Sequence, residues 1–137
     1  MHHWLLKSEP SAYSWEQLVK DGRTNWSGVR NFQAANNLKA MAVGDRAFFY
    51  HSNEGLAIVG IVEIVKAAYP DPSDKTGRFV MVDVKPVAPV KTPVTLAEIK
   101  AEKKLADFAL VRQSRLSVVP VSAEEWRLLC GMAGVKP

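Results

Sequence analysis

The longest apolar run in the sequence, Leu56 to Val62, is seven residues long and contains Gly60. A membrane-crossing helix needs roughly 20 such residues. A run this short, rich in β-branched side chains, reads instead as a buried strand, extending from Leu56 to Val65. Gly60 within it suits a bulge or a sharp bend, of the sort that closes a small barrel. Four further segments rich in β-branched or aromatic residues read as strands: Trp4 to Lys7, Asp45 to His51, Val80 to Lys85 and Leu116 to Val121. Ser52-Asn53-Glu54-Gly55 joins two of these strands as a hairpin loop. Five of the eight prolines fall between Pro70 and Pro93, which predicts loop and edge strand there, including the turn-forming PDPSDKTG.

Helix starts are marked where a hydroxyl is followed three residues later by Glu or Gln, at Ser14, Thr95 and Ser122. After Ser14, Trp15, Leu18 and Val19 recur at helical spacing and Gly22 supplies a stop. Phe32, Ala35, Leu38 and Met41 predict another helix over residues 31 to 42, closed by Gly44. Short strands with short flanking helices make an α+β domain, built on a compact small β-barrel or a strongly curved mixed sheet. The 137 residues suffice for one such domain, 1–137, since a chain of this size buries roughly 70% of the surface it exposes when unfolded.

Chemistry is sparse. The chain has no GxSxG elbow, no GxxxxGK[ST] loop and no GxGxxG fingerprint. Histidine occurs only at positions 2, 3 and 51, which offers no ligand cluster for a metal, and nothing calls for a cofactor. His51 and Ser52 are neighbours at a strand end, a placement that does not by itself aim an imidazole at a hydroxyl. The single cysteine, Cys130, excludes an internal disulfide, agrees with a reducing cytoplasm, and reads as a small buried hydrophobe behind Leu128 and Leu129. The N-terminus reaches a strand at once, without a basic segment and apolar leader, so a cytoplasmic location without membrane insertion is expected. A net charge of +4 favours a polyanionic partner only mildly, because Lys103-Lys104 is the one adjacent basic pair.

Binding groups are more concentrated. NWSGVRNFQAANN, residues 25 to 37, collects an indole, a guanidinium and four asparagine carboxamides. Trp26 can be a core plug or a stacking platform for a planar ligand. Asn31 can cap the following helix or pair with the edge of a base. Arg30 can be a solvated charge or hold phosphate beside the helix N-terminus. Lys7-Ser8-Glu9-Pro10 and Tyr50-His51-Ser52-Asn53 end strands, where turn chemistry and binding groups are equally at home.

WLLKSEP at 4–10, WSGVRN at 26–31, GDRAFFYHSN at 44–53, AYPDP at 68–72 and RLSVVPV at 115–121 together resemble the EVE domain family. The resemblance covers nearly the whole chain. It implies a PUA-like fold, related to the YTH domains that read methylated adenine in RNA, and a non-catalytic reader of a modified base in DNA or RNA. The base would be taken out of the stack into a pocket, with cytosine derivatives the first expectation. On this chain Trp26 would supply a stacking face and Asn31 a base-edge contact. Ser8, Tyr50, His51, Ser52 and Asn53 would complete the pocket. Lys7, Arg30 and Arg115 would meet phosphate or the base. The family pattern Asn-Tyr-Gln-Ala-Arg-Asn is replaced by Asn31-Phe32-Gln33-Ala34-Ala35-Asn36, which removes a hydroxyl and a positive charge. Two other classes of function are an enzyme acting on a nucleotide or small planar substrate, with His51 as acid or base, and an adaptor for a protein segment. For the adaptor the sequence offers no distinct apolar stripe.

Overall fold

In the computed structural model, which describes residues 1–137, two successive phenylalanines set the layers. They lie on β3 (Arg46–His51), and because alternate strand residues point to opposite faces, their rings leave the sheet in opposite directions. Phe48 stacks on Trp126, 4.1 Å between ring centres, which belongs to α5 (Ala123–Ala133). Phe49 packs against Trp15 and Trp26 on the other side in T-shaped pairs, each with 5.6 Å between ring centres. Trp15 opens α1 (Trp15–Asp21) and Trp26 ends β2 (Thr24–Trp26). The remaining elements are β1 (His3–Ser8), α2 (Phe32–Ala40), β4 (Ala57–Pro70), β5 (Val80–Thr95), α3 (Leu96–Ala101), α4 (Ala109–Arg112) and β6 (Val118–Val121). A single 3-10 turn, Lys103–Leu105, links α3 to α4.

The strands form one sheet in the order β2-β5-β4-β3-β1-β6. β1 runs parallel to β3 and every other pairing is antiparallel. The sheet is mixed and open, so the strand ladder does not close into the barrel that was one of the two expectations. Its terminal strands are short, and Asn37 of α2 donates its carboxamide N–H to the Val118 carbonyl on β6 at 2.8 Å. One continuous cluster of buried side chains joins β1, β3 and β4 to α5.

Two strands run longer than their sequence signal. β4 continues to Pro70, and β5 passes through Pro86, Pro89 and Pro93, where loop and edge strand were expected. Proline is tolerated in a ladder at edges and bulges, where its missing N–H is not required. β2 covers β5 only at residues 82–84. The pairing of β5 with β4 jumps from Ile58↔Val94 to Gly60↔Pro89, which loops Pro93 out of register. Gly60 sits at that irregularity, and on its other side the β3 register slips between Phe49 and Tyr50. The expected bulge is therefore present.

All three predicted helix starts are capped. Thr95 and Ser122 form reciprocal pairs with Glu98 and Glu125. Ser14 accepts from the Gln17 backbone, but the Gln17 carboxamide turns away to Asp21. α2 ends at Ala40 rather than at 42, with Met41 as its cap, and Phe32 lies outside the core at 60% exposure. No helix is long and apolar enough to cross a membrane.

The absent side chain at Gly60 is what admits Trp15. A Cβ there would lie 2.4 Å from the indole. Gly60→Ala should cost about 1–3 kcal/mol through overpacking. In urea unfolding the loss should shrink in the Trp15→Leu background; equal losses in both backgrounds would show that the indole is not the obstacle.

Candidate nucleic-acid interface

Where β1 ends, two recesses of about 420 Å³ each open on either side of Lys7. Lys7 and Glu9 line both. The first recess is bordered by Asn25 and Trp26 of β2 and Ser27 just beyond it, by Ser8 at the end of β1 and by Tyr13 in the loop that follows. Trp26 is a core residue, 9% exposed and packed edge-to-face with Phe49, and it is also among the residues that line this recess. Ser8 donates its hydroxyl to the Tyr13 carbonyl at 2.6 Å, and Tyr13 donates to Asp21 at 2.8 Å, which fixes this wall. The Lys7 ammonium donates to the Ser114 carbonyl at 2.9 Å, and burial lowers its pKa below the usual lysine value.

The second recess receives Tyr50, Ser52 and Asn53 from the end of β3 and its loop, together with Lys100 and Arg115. Asn53 holds its place in the left-handed region, at φ 65°, a conformation that asparagine tolerates better than most residues. The single pocket expected around Trp26 is thus two, because the Lys7 side chain stands between the β2 end and the β3 end.

Three expected site residues are engaged elsewhere. Asn31 accepts from the Ala34 N–H at 2.9 Å as the α2 cap, and it borders a shallow cleft with Arg112 and Arg115 rather than the Trp26 recess. Asn25, in the same asparagine-rich run, holds the place beside Trp26. Arg30 turns to Asp71, 3.3 Å away, and donates to Ser73 at 2.9 Å. The His51 imidazole accepts the Trp15 backbone N–H at Nε2, 3.2 Å, and lines neither recess. Burial lowers its pKa, against the opposing pull of Glu16.

Asp71 was not singled out in the sequence, where it sits within the PDPSDKTG turn. Its buried carboxylate accepts from the Gly28 backbone at 2.8 Å, from Arg30, and from both the backbone and the hydroxyl of Ser73. It thereby ties the loop after Trp26 to the β4–β5 turn. Burial would raise the Asp71 pKa, but the hydrogen bonds from Ser73, Gly28 and Arg30 outweigh it and hold the group at about 2. At the two positions that depart from the family pattern, Phe32 stacks on Phe79 at 5.1 Å and Ala35 is buried. Neither borders either recess. Cys130 is buried, and burial pushes its thiol up to about 11, which agrees with a packing role.

The EVE domain family matches residues 2–132. The chain belongs to the EVE domain family. Among its relatives, thymocyte nuclear protein 1 of Gallus gallus is 38% identical over 98% of this chain and 70% of the relative. The structure of Rpa0253 from Rhodopseudomonas palustris is 59% identical, with a TM-score of 0.93, over 98% of this chain and 94% of that one. The human THYN1 protein, in complex with DNA containing 5-methylcytosine, is 36% identical with a TM-score of 0.92, and each chain is covered completely. These likenesses establish an α+β, PUA-like fold for this EVE domain.

Asp71 makes the geometry of this EVE domain's Trp26 loop depend on pH. Its folded pKa of about 2 lies below the unfolded value of about 3.9, so folding favours the ionised form. The stabilisation, on the order of 2 kcal/mol, is complete above the unfolded value and disappears as pH falls toward 2. Asp71→Asn should lose a similar amount at neutral pH and show a flatter decline between pH 5 and 2 in denaturant titrations.

Proposed function

We propose that this EVE domain is a non-catalytic reader of DNA that takes one flipped, modified base into the Trp26 recess, with 5-methylcytosine and related cytosine derivatives as its ligand class. The observation that carries the reading is the indole of Trp26, nearly buried and braced edge-on by Phe49, yet bordering a cavity lined by hydroxyl and carboxamide groups. A braced ring gives a stacking surface that loses little freedom on binding, while Asn25 and Glu9 supply the acceptors and donor that the edge of a base requires. The likeness in fold over the full length of both chains to the human THYN1 protein, 36% identical and in complex with DNA containing 5-methylcytosine, supports both the polymer and the modification.

Extruding a base costs unstacking energy, which is why a recess with a prepared stacking face favours base capture. Lys7, which lines both recesses, and Arg115, which lines the second, would meet the phosphates on either side of the extruded base. The acid–base reading of His51 gains no support, since its acceptor nitrogen already holds the Trp15 backbone.

Stacking contributes about 1–3 kcal/mol per base, so Trp26→Ala should weaken binding of a 5-methylcytosine oligonucleotide by about tenfold or more. Trp26→Phe keeps a ring against Phe49 and should retain most of the affinity, which separates a lost stacking face from a disturbed core. Fluorescence polarisation on folded variants checks this, and unchanged affinity in Trp26→Ala would remove the indole from the site. Lys7→Ala and Arg115→Ala should each flatten the plot of log affinity against log salt by about one phosphate contact, a slope change near 0.7 to 0.9. A slope identical to that of the unaltered chain would exclude the phosphate role.

A further inference from the structure

One extruded base fills one recess, and the second recess has its own construction. Tyr50 is only 2% exposed and lines it, and the phenol hydroxyl forms no hydrogen bond with the rest of the chain. The ring is buried while the hydroxyl keeps access to the cavity, where it is free to bond an atom of a ligand. Leu56, Leu96, Leu110 and Val111 give this recess an apolar wall. Lys7, Lys100 and Arg115 set three cations around it against the single carboxylate of Glu9. Apolar wall, lone hydroxyl and excess positive charge match a planar heterocycle that carries a phosphate, and the volume lies within the range of ligand clefts, roughly 300–1,000 Å³.

Lys7 is what links the two cavities. Its side chain borders both, which is the placement needed for a phosphate that joins two nucleotides. We propose that the Tyr50 recess binds the nucleotide adjoining the flipped base, so that the domain reads a modified base together with its neighbour. The neighbouring base lies against Leu56 and Leu96, the Tyr50 hydroxyl bonds to its edge, and the connecting phosphate meets Lys7. Glu9, which lines both cavities, accepts from an exocyclic amine. This inference rests on the base-reading function proposed above.

The test is a panel of DNA oligonucleotides with a central 5-methylcytosine or cytosine and each of the four nucleotides on either side, titrated by fluorescence anisotropy. The unaltered chain should separate its best and worst neighbours by about fivefold or more, the value of one hydrogen bond gained or lost. Tyr50→Phe should level that preference while leaving the ratio of methylated to unmethylated binding unchanged. Because the hydroxyl has no partner in the protein, this variant should also unfold at the same temperature as the unaltered chain. Trp26→Ala should do the reverse, losing the methylation ratio and keeping the neighbour preference. Absence of any neighbour preference, or its survival in Tyr50→Phe, overturns the proposal. A neighbour preference that depends on Tyr50, without discrimination of methylated cytosine, would uphold the second recess and overturn the base-reading function instead.

Discussion

A missing side chain organises this domain. Gly60 pairs with Phe49 across two central strands, and the bare backbone at Gly60 lets the Trp15 indole lie directly on β4. Trp15 and Trp26 then meet the same Phe49 ring edge-on, an arrangement aromatic quadrupoles favour. Everything on the binding side inherits its position from this group. Trp15 brings the start of α1 against His51, and Trp26 brings the end of β2 to the mouth of the first recess. The Trp26 indole is therefore held by core packing rather than by a loop, so under the proposed base-reading function binding need not order it first.

Buried carboxylates extend that control to the loops. Asp45 receives the Trp4 indole N–H and the backbone of Ala42 and His2, Asp71 gathers the loop after Trp26, and Asp83 takes Arg23 and Tyr69 beside β2. Each satisfies several donors at once, and charge-assisted bonds of this kind are about twice as strong as neutral ones. Around the second recess, which none of these carboxylates lines, Lys7, Lys100 and Arg115 outnumber the single acid Glu9.

Much of the architecture was legible because its signals are local. Helix caps at Ser14, Thr95 and Ser122 depend on residues three positions apart, and the bulge at Gly60 shows as a glycine within a β-branched run. Strand β2 was hidden because three residues carry no periodicity, and its existence depends on pairing with β5 far along the chain. The same distance explains the binding surface. Lys7, Ser8 and Trp26 were readable as exceptional groups, and the structure brings them together. Nothing local shows that Lys7 separates Trp26 from Tyr50, that Asp71 claims Arg30, or that Asn31 is consumed as a helix cap. Those outcomes are decided by which of several polar groups reaches a donor or acceptor first.

The prolines of β5 bear on how the molecule behaves in company. Beyond its three paired positions with β2, this long strand would present a margin of backbone amides to any extended segment that drifted by. Pro86, Pro89 and Pro93 carry no backbone N–H, and the register breaks keep the strand from forming a straight template. The open sheet thus offers a poor template for further strands along β5.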